Sequence, residues 1–226
     1  MDNFRGSQDE ELGICAQDDH FLENAPWDFA GTPGENYPLL LHYHPLALYR
    51  RQVCKQADAV LAHYLFGDEV SMEVRQRTFT YYEGITTHDS SLSACVFGIM
   101  AARLGMLEKA YRYYLRTVRT DLEDEHGNTR DGIHTANMGG AYLGLVAGFA
   151  GLDIRREGLR FKFRLPQAWA GYRFRLRFRS SKLEIHVTRG QAEITLLEGG
   201  PVRVFIEDAP HEITDRMIWQ GDTLGA

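Results

Sequence analysis

The stretch YRFRLRFR, residues 172–179, decides how the second half of the chain folds. Phe174, Leu176 and Phe178 alternate with Arg173, Arg175, Arg177 and Arg179. A period of two belongs to a strand with one buried face. KLEIHV (182–187), AEITLLE (192–198) and PVRVFIE (201–207) continue the alternation, separated by the short connections SSK, RGQ and GGP. These predict an antiparallel sheet of four or five strands joined by hairpin turns.

Upstream of Gly151 the apolar residues recur at helical spacing instead. Leu46, Tyr49, Val53, Val60 and Tyr64 predict one helix from Pro45 to about Phe66, and Ser71 to Tyr82 predicts a weaker one. Leu92, Cys95, Val96, Ile99 and Met100 mark a third, ending near Gly105. Leu107, Ala110, Tyr111, Tyr114, Leu115 and Val118 form an amphipathic stripe. After the turn-rich EHGNTRDG a fifth helix is expected over 133–149, its small residues suited to close packing. The fold class is therefore α+β, antiparallel helices followed by a small β-domain, with the division at 1–151 and 152–226.

The chain has 226 residues, 44% hydrophobic and 25% charged, as in ordinary globular proteins. Its net charge of −6 gives no global argument for a nucleic-acid partner or an anionic membrane. Cys15, Cys54 and Cys95 are odd in number and form no C-x-x-C pair, which fits reduced thiols in a cytoplasmic protein and no metal centre. The polar N-terminus lacks the apolar run of a secretory signal, and the apolar run at 138–152 is too short for a membrane span.

Two motifs stand out. In TTHDSSLS (86–93) seven of eight residues are polar, directly before an apolar helix. Ser90 or Ser91 is a natural N-cap, and one serine suffices for that. His88, Asp89, Ser90, Ser91 and Ser93 together suggest an anion-binding helix mouth as the competing reading. The second motif is Lys55-Gln56. On a continuous helix Gln56 would face inward with Tyr49, Val53 and Val60, and a buried amide needs partners, from protein groups or from a sugar. Weaker candidates are the carboxylates of Gln17-Asp18-Asp19, the His42/His44 pair as metal ligands, Trp27 and Tyr37 as stacking platforms, and the Arg-striped strand as a nucleic-acid face. For each of these a solvated or purely structural role is the favoured reading.

ELGICAQDDHFL, PLLLHYHPLALYRRQVCKQADAVLA, YYEGITTHDSSLS and GNTRDGIHTANMGG, in this order, resemble the C-terminal blocks of glycoside hydrolase family 65. That family includes inverting disaccharide phosphorylases of the maltose, trehalose and kojibiose types. The resemblance implies that the helices are the last ones of an (α/α)6 barrel and that the β-half is the small domain following it. It assigns Lys55 and Gln56 to the glucosyl unit, and His88, Ser90 and Ser91 to phosphate, the co-substrate; no cofactor is implied. The family's general-acid glutamate belongs to a block these residues do not match, so no catalytic residue is assigned and the chain is expected to be silent alone. Its expected partners are the disaccharide, phosphate, the remaining barrel half or a second copy. The alternatives are part of a family hydrolase that uses water, and a non-catalytic sugar- or anion-binding module.

Overall fold

The computed structural model describes residues 8–67, 70–125 and 127–221. The chain divides into two compact units, Met1–Met100 with Tyr113–Ala141, and Ala101–Arg112 with Tyr142–Ala226.

The first unit begins with two short ribbons. β1 (Gln8–Asp9) pairs antiparallel with β2 (Ile14–Cys15), and β3 (Ala25–Pro26) pairs parallel with β4 (Arg51–Gln52). The helices are α1 (Leu39–His42), α2 (Pro45–Tyr49), α3 (Asp58–Phe66), α4 (Met72–Ile85), α5 (Ser93–Arg103), α6 (Leu107–Arg119) and α7 (Thr135–Leu143). Of these, α5, α6 and α7 contribute residues to both units.

The single helix expected over 45–66 does not form. Pro45 opens α2 at a position where its missing N–H costs nothing, with His44 Nδ1 accepting from Leu46 N at 3.2 Å. The chain then leaves the helix because its backbone is claimed from a distance. Arg51 and Gln52 pair with Ala25 and Pro26, Cys54 N donates to Ile85 O (2.9 Å), and Thr87 N donates to Cys54 O (2.8 Å). Lys55 and Gln56 consequently lie in a bend before α3.

α4 starts as a capped helix, with Ser71 Oγ accepting from Val74 N at 3.2 Å. It buries Thr78, Phe79 and Tyr82; Phe79 meets Phe97 of α5 with ring centroids 5.4 Å apart. The expected 133–149 helix appears as α7 followed by a π-helical stretch, Gly144–Phe149. The looser ladder there is completed by side chains. Arg103 donates to Ala147 O and Leu152 O (3.1 Å each), and Tyr172 OH donates to Phe149 O at 3.1 Å.

In the second unit the strands are β5 (Asp153–Ile154), β6 (Leu159–Phe161), β7 (Gly171–Phe178), β8 (Ser181–Thr188), β9 (Gln191–Glu198), β10 (Val202–Ile206), β11 (Ala209–Ile213) and β12 (Arg216–Gln220). They form two four-stranded sheets, ordered β11-β10-β6-β5 and β12-β9-β8-β7, rather than one. SSK and RGQ are hairpin connections as expected, with Arg179 (φ 54°) and Gly190 (φ 76°) in the left-handed region. GGP is not a hairpin, because β9 and β10 belong to different sheets. Gly199 (φ 93°) lies so close to the neighbouring hairpin that a Cβ would stand 2.6 Å from Ser180 O. The β-domain also contains a parallel pair, β6 with β10.

The alternation in YRFRLRFR holds at its start, where Tyr172 and Phe174 are buried, and fades to half-burial at Leu176 and Phe178. On the outward face two of the four arginines pair closely with facing glutamates, Arg175 Nε with Glu184 at 2.7 Å and Arg177 with Glu198 at 3.4 Å, while Arg179 donates to the Arg156 carbonyl at 2.6 Å. The facing glutamates thus offset part of the stripe's positive field.

Candidate functional site

The Cys54 backbone joins the two motifs that sequence singles out. Its N–H and C=O bond on either side of Thr86, placing the bend that carries Lys55 and Gln56 alongside the turn between α4 and α5. Burial, with Asp58 and Asp18 nearby, pushes the Cys54 thiol up to about 12, which disfavours the thiolate.

Most of TTHDSS is engaged in holding that turn. Thr86 Oγ1 donates to Tyr82 O (2.6 Å), and Asp89 Oδ2 accepts from Leu39 N at the start of α1 (3.2 Å). Ser90 closes the turn that leads into α5, its Oγ accepting from Leu92 N (3.3 Å) and its C=O from Ser93 N (3.0 Å). His88 has a left-handed backbone (φ 57°), uncommon for a non-glycine residue. Its ring lies edge-on to Phe97 at 4.8 Å and tilted against Tyr113 at 5.4 Å. Nδ1 is 2.8 Å from Ser93 Oγ, Nε2 is 3.3 Å from Tyr113 OH, and Arg116 donates to the His88 carbonyl at 3.4 Å. Burial, and next the Arg116 charge, push the imidazole down to about 4 despite Glu83, Asp89 and Glu125.

Within the two motifs, 55–56 and 86–91, the exposed Lys55 ammonium and the half-buried Ser91 hydroxyl have no partner among the described residues. Gln56 departs from the sequence expectation. Lying in a bend and only half-buried, it donates to Asp58 Oδ1 at 3.3 Å instead of facing a core. The inward amide of this segment is Gln52, which donates to Leu22 O (3.0 Å) and Asn24 O (2.7 Å) and accepts from Tyr81 OH (2.6 Å). Gln17 is a helix-end residue: its Oε1 accepts from Ala59 N and its Nε2 donates to Asp58. Trp27 anchors its own loop, donating to Thr32 Oγ1 at 2.9 Å. Among the described residues no group of three His, Cys, Asp or Glu is placed to hold a metal, and His44 is occupied in capping α2.

Sequence reasoning missed Glu83, Tyr113 and Arg116. Tyr113 and Arg116 share a face of α6 at i, i+3, the one signal that could have grouped them. Their nearness to His88 is a long-range fact no local pattern carries.

Helices followed by a β-domain of two four-stranded sheets make this a mixed α+β chain. The glycosyl hydrolase family 65 central catalytic domain profile matches residues 2–143, and that of the family's C-terminal domain matches 152–213. The chain belongs to glycosyl hydrolase family 65. It is 50% identical over 206 residues to an alpha,alpha-trehalose phosphorylase of Geobacillus stearothermophilus, covering 91% of this chain and 27% of that protein. A maltose phosphorylase of Bacillus subtilis is 34% identical, with 89% and 27% covered. Among solved structures, a candidate kojibiose phosphorylase from the human microbiome superposes with a TM-score of 0.86 at 27% identity, covering 94% of this chain and 28% of that one. The chain thus spans about a quarter of the length of the curated relatives it matches. Among the described residues no helix is long and apolar enough to cross a membrane.

Proposed function

We propose that these residues form the sugar- and phosphate-holding end of an inverting phosphorylase acting on an α-glucosidic disaccharide of the trehalose, maltose or kojibiose type. Phosphate attacks the anomeric carbon from the face opposite the leaving sugar while a carboxylic acid protonates the departing oxygen, giving β-glucose 1-phosphate. Lys55 and Gln56 hold the glucosyl unit; the turn carrying His88, Ser90 and Ser91 holds the phosphate, no cofactor taking part. The proton donor comes from family sequence outside these 226 residues, with the helices completing an (α/α)6 barrel together with it. The observation that carries this reading is the Cys54 bridge, which sets on two adjoining backbone segments a lysine and a serine hydroxyl that have no partner among the described residues.

Calorimetric titration of the 226-residue chain with inorganic phosphate and with glucose, beside an assay for glucose 1-phosphate release from the three disaccharides, tests it. Binding without turnover is expected, weakened roughly 10-fold by Ser91→Ala for phosphate and by Lys55→Ala for glucose, the scale of one charge-assisted or well-placed hydrogen bond. Phosphate-independent hydrolysis would favour the hydrolase. Phosphorolysis by the chain alone would show that the proton donor lies within it.

A further inference from the structure

The contacts around His88 determine where its protons sit. Tyr113 has one hydroxyl proton, and that hydroxyl donates to Glu83 Oε1 at 3.0 Å, because a carboxylate oxygen only accepts. The same hydroxyl oxygen lies 3.3 Å from His88 Nε2, so the proton in that contact must be carried by Nε2. A neutral ring with Nε2–H leaves Nδ1 bare, and Nδ1 then accepts from the Ser93 hydroxyl at 2.8 Å. Ser93 is 1% exposed, which keeps water from competing. One directed chain of donors runs from Ser93 through His88 and Tyr113 to Glu83.

We infer that Tyr113 and Glu83 are positioning residues acting through His88: they hold its imidazole as the Nε2–H tautomer, with both ring nitrogens committed to protein groups. The ring, clamped by Phe97 and Tyr113, in turn holds the left-handed backbone at 88 and so presents Ser90 and Ser91 to phosphate. His88 therefore belongs to the phosphate site as its support and not as a ligand. The groups facing the ring agree with an uncharged state near neutral pH: burial and Arg116 disfavour the cation more than Glu83, Asp89 and Glu125 favour it. The inference rests on the phosphate reading of this turn; the tautomer itself does not.

Nitrogen-15 NMR of the histidine rings in the 226-residue chain tests both parts, with His88 assigned through His88→Asn, a residue that tolerates the left-handed backbone. At pH 7 the His88 ring should show the neutral Nε2–H pattern. Tyr113→Phe should shift that pattern and weaken inorganic phosphate binding roughly 10-fold. Glu83→Gln, which still offers an acceptor oxygen, should leave both near the parent. Ser91→Ala should weaken phosphate binding with the ring signals unchanged. A charged or Nδ1–H ring, or phosphate shifting the His88 ring nitrogens as a direct ligand would, overturns the inference. If phosphate perturbs no resonance while the tautomer and its dependence on Tyr113 persist, the phosphate reading fails and the donor chain stands.

Discussion

Two imidazoles in the first unit favour the neutral form in the fold. His63 of α3 is 2% exposed, its Nε2 has no partner among the described residues, and burial with the Arg75 charge pushes it down to about 4. His88 is pushed to about the same value. Between pH 6.5 and 4 the unfolded chain binds more protons at these positions than the folded chain. Stability is therefore full above about pH 6.5 and falls as the pH is lowered toward 4, by on the order of 3 kcal/mol per histidine at most. Differential scanning calorimetry across that window should show the melting temperature dropping, and His63→Leu should remove roughly half of the slope. An unchanged slope would mean His63 titrates normally in the fold. At this scale the sequence was informative where a side chain acts locally, as with Ser90, whose hydroxyl bonds the turn leading into α5. It was misleading where partners are distant: Gln56 was expected to face inward from helical spacing, yet Gln52 does so, because the partners Leu22, Asn24 and Tyr81 have no local trace.

Among the elements, α7 meets its neighbours through a glycine whose neighbour in sequence is its control. A Cβ on Gly140 would come within 2.8 Å of both Cβ and Sγ of Cys95, while one on Gly139 would meet nothing within 4 Å. Gly140→Ala should therefore destabilise by about 1–3 kcal/mol through overpacking. Gly139→Ala should be neutral or stabilise by up to about 1 kcal/mol through helix propensity. Denaturant titrations of the pair read the contrast; equal effects would mean that α7 does not pack on Cys95. Small residues in this segment announced close packing, though not which glycine makes it. The strands were legible for a related reason: alternation reports one buried face wherever β7, β8 and β9 run. It could not report that GGP carries the chain to a second sheet, since turn chemistry is the same for a hairpin and a crossover. Nor could spacing foresee that the 45–66 segment breaks, because β3 and Thr87 claim its backbone from outside the window.

For the whole chain, the division into helices and then strands was readable from the change of period near Gly151, while the family blocks located both motifs before any contact was known. What composition could not show is where apolar surface remains uncovered. In α1 and α2, Leu40, Leu41, Leu46 and Tyr49 are 38%, 77%, 56% and 71% exposed, and Leu65 and Phe66 end α3 more than half exposed. Apolar side chains grouped in this way are costly in water, at roughly 25 cal/mol for each Å² left uncovered. We expect a second copy of the chain to cover some of this surface. Sedimentation velocity of the 226-residue chain should accordingly show a weight-average coefficient that rises with concentration in the micromolar range. Leu41→Asp combined with Leu46→Asp should suppress that rise without lowering the melting temperature, since both side chains are already in solvent in the monomer. A concentration-independent monomer in the parent chain would show that these leucines are tolerated singly and drive no association.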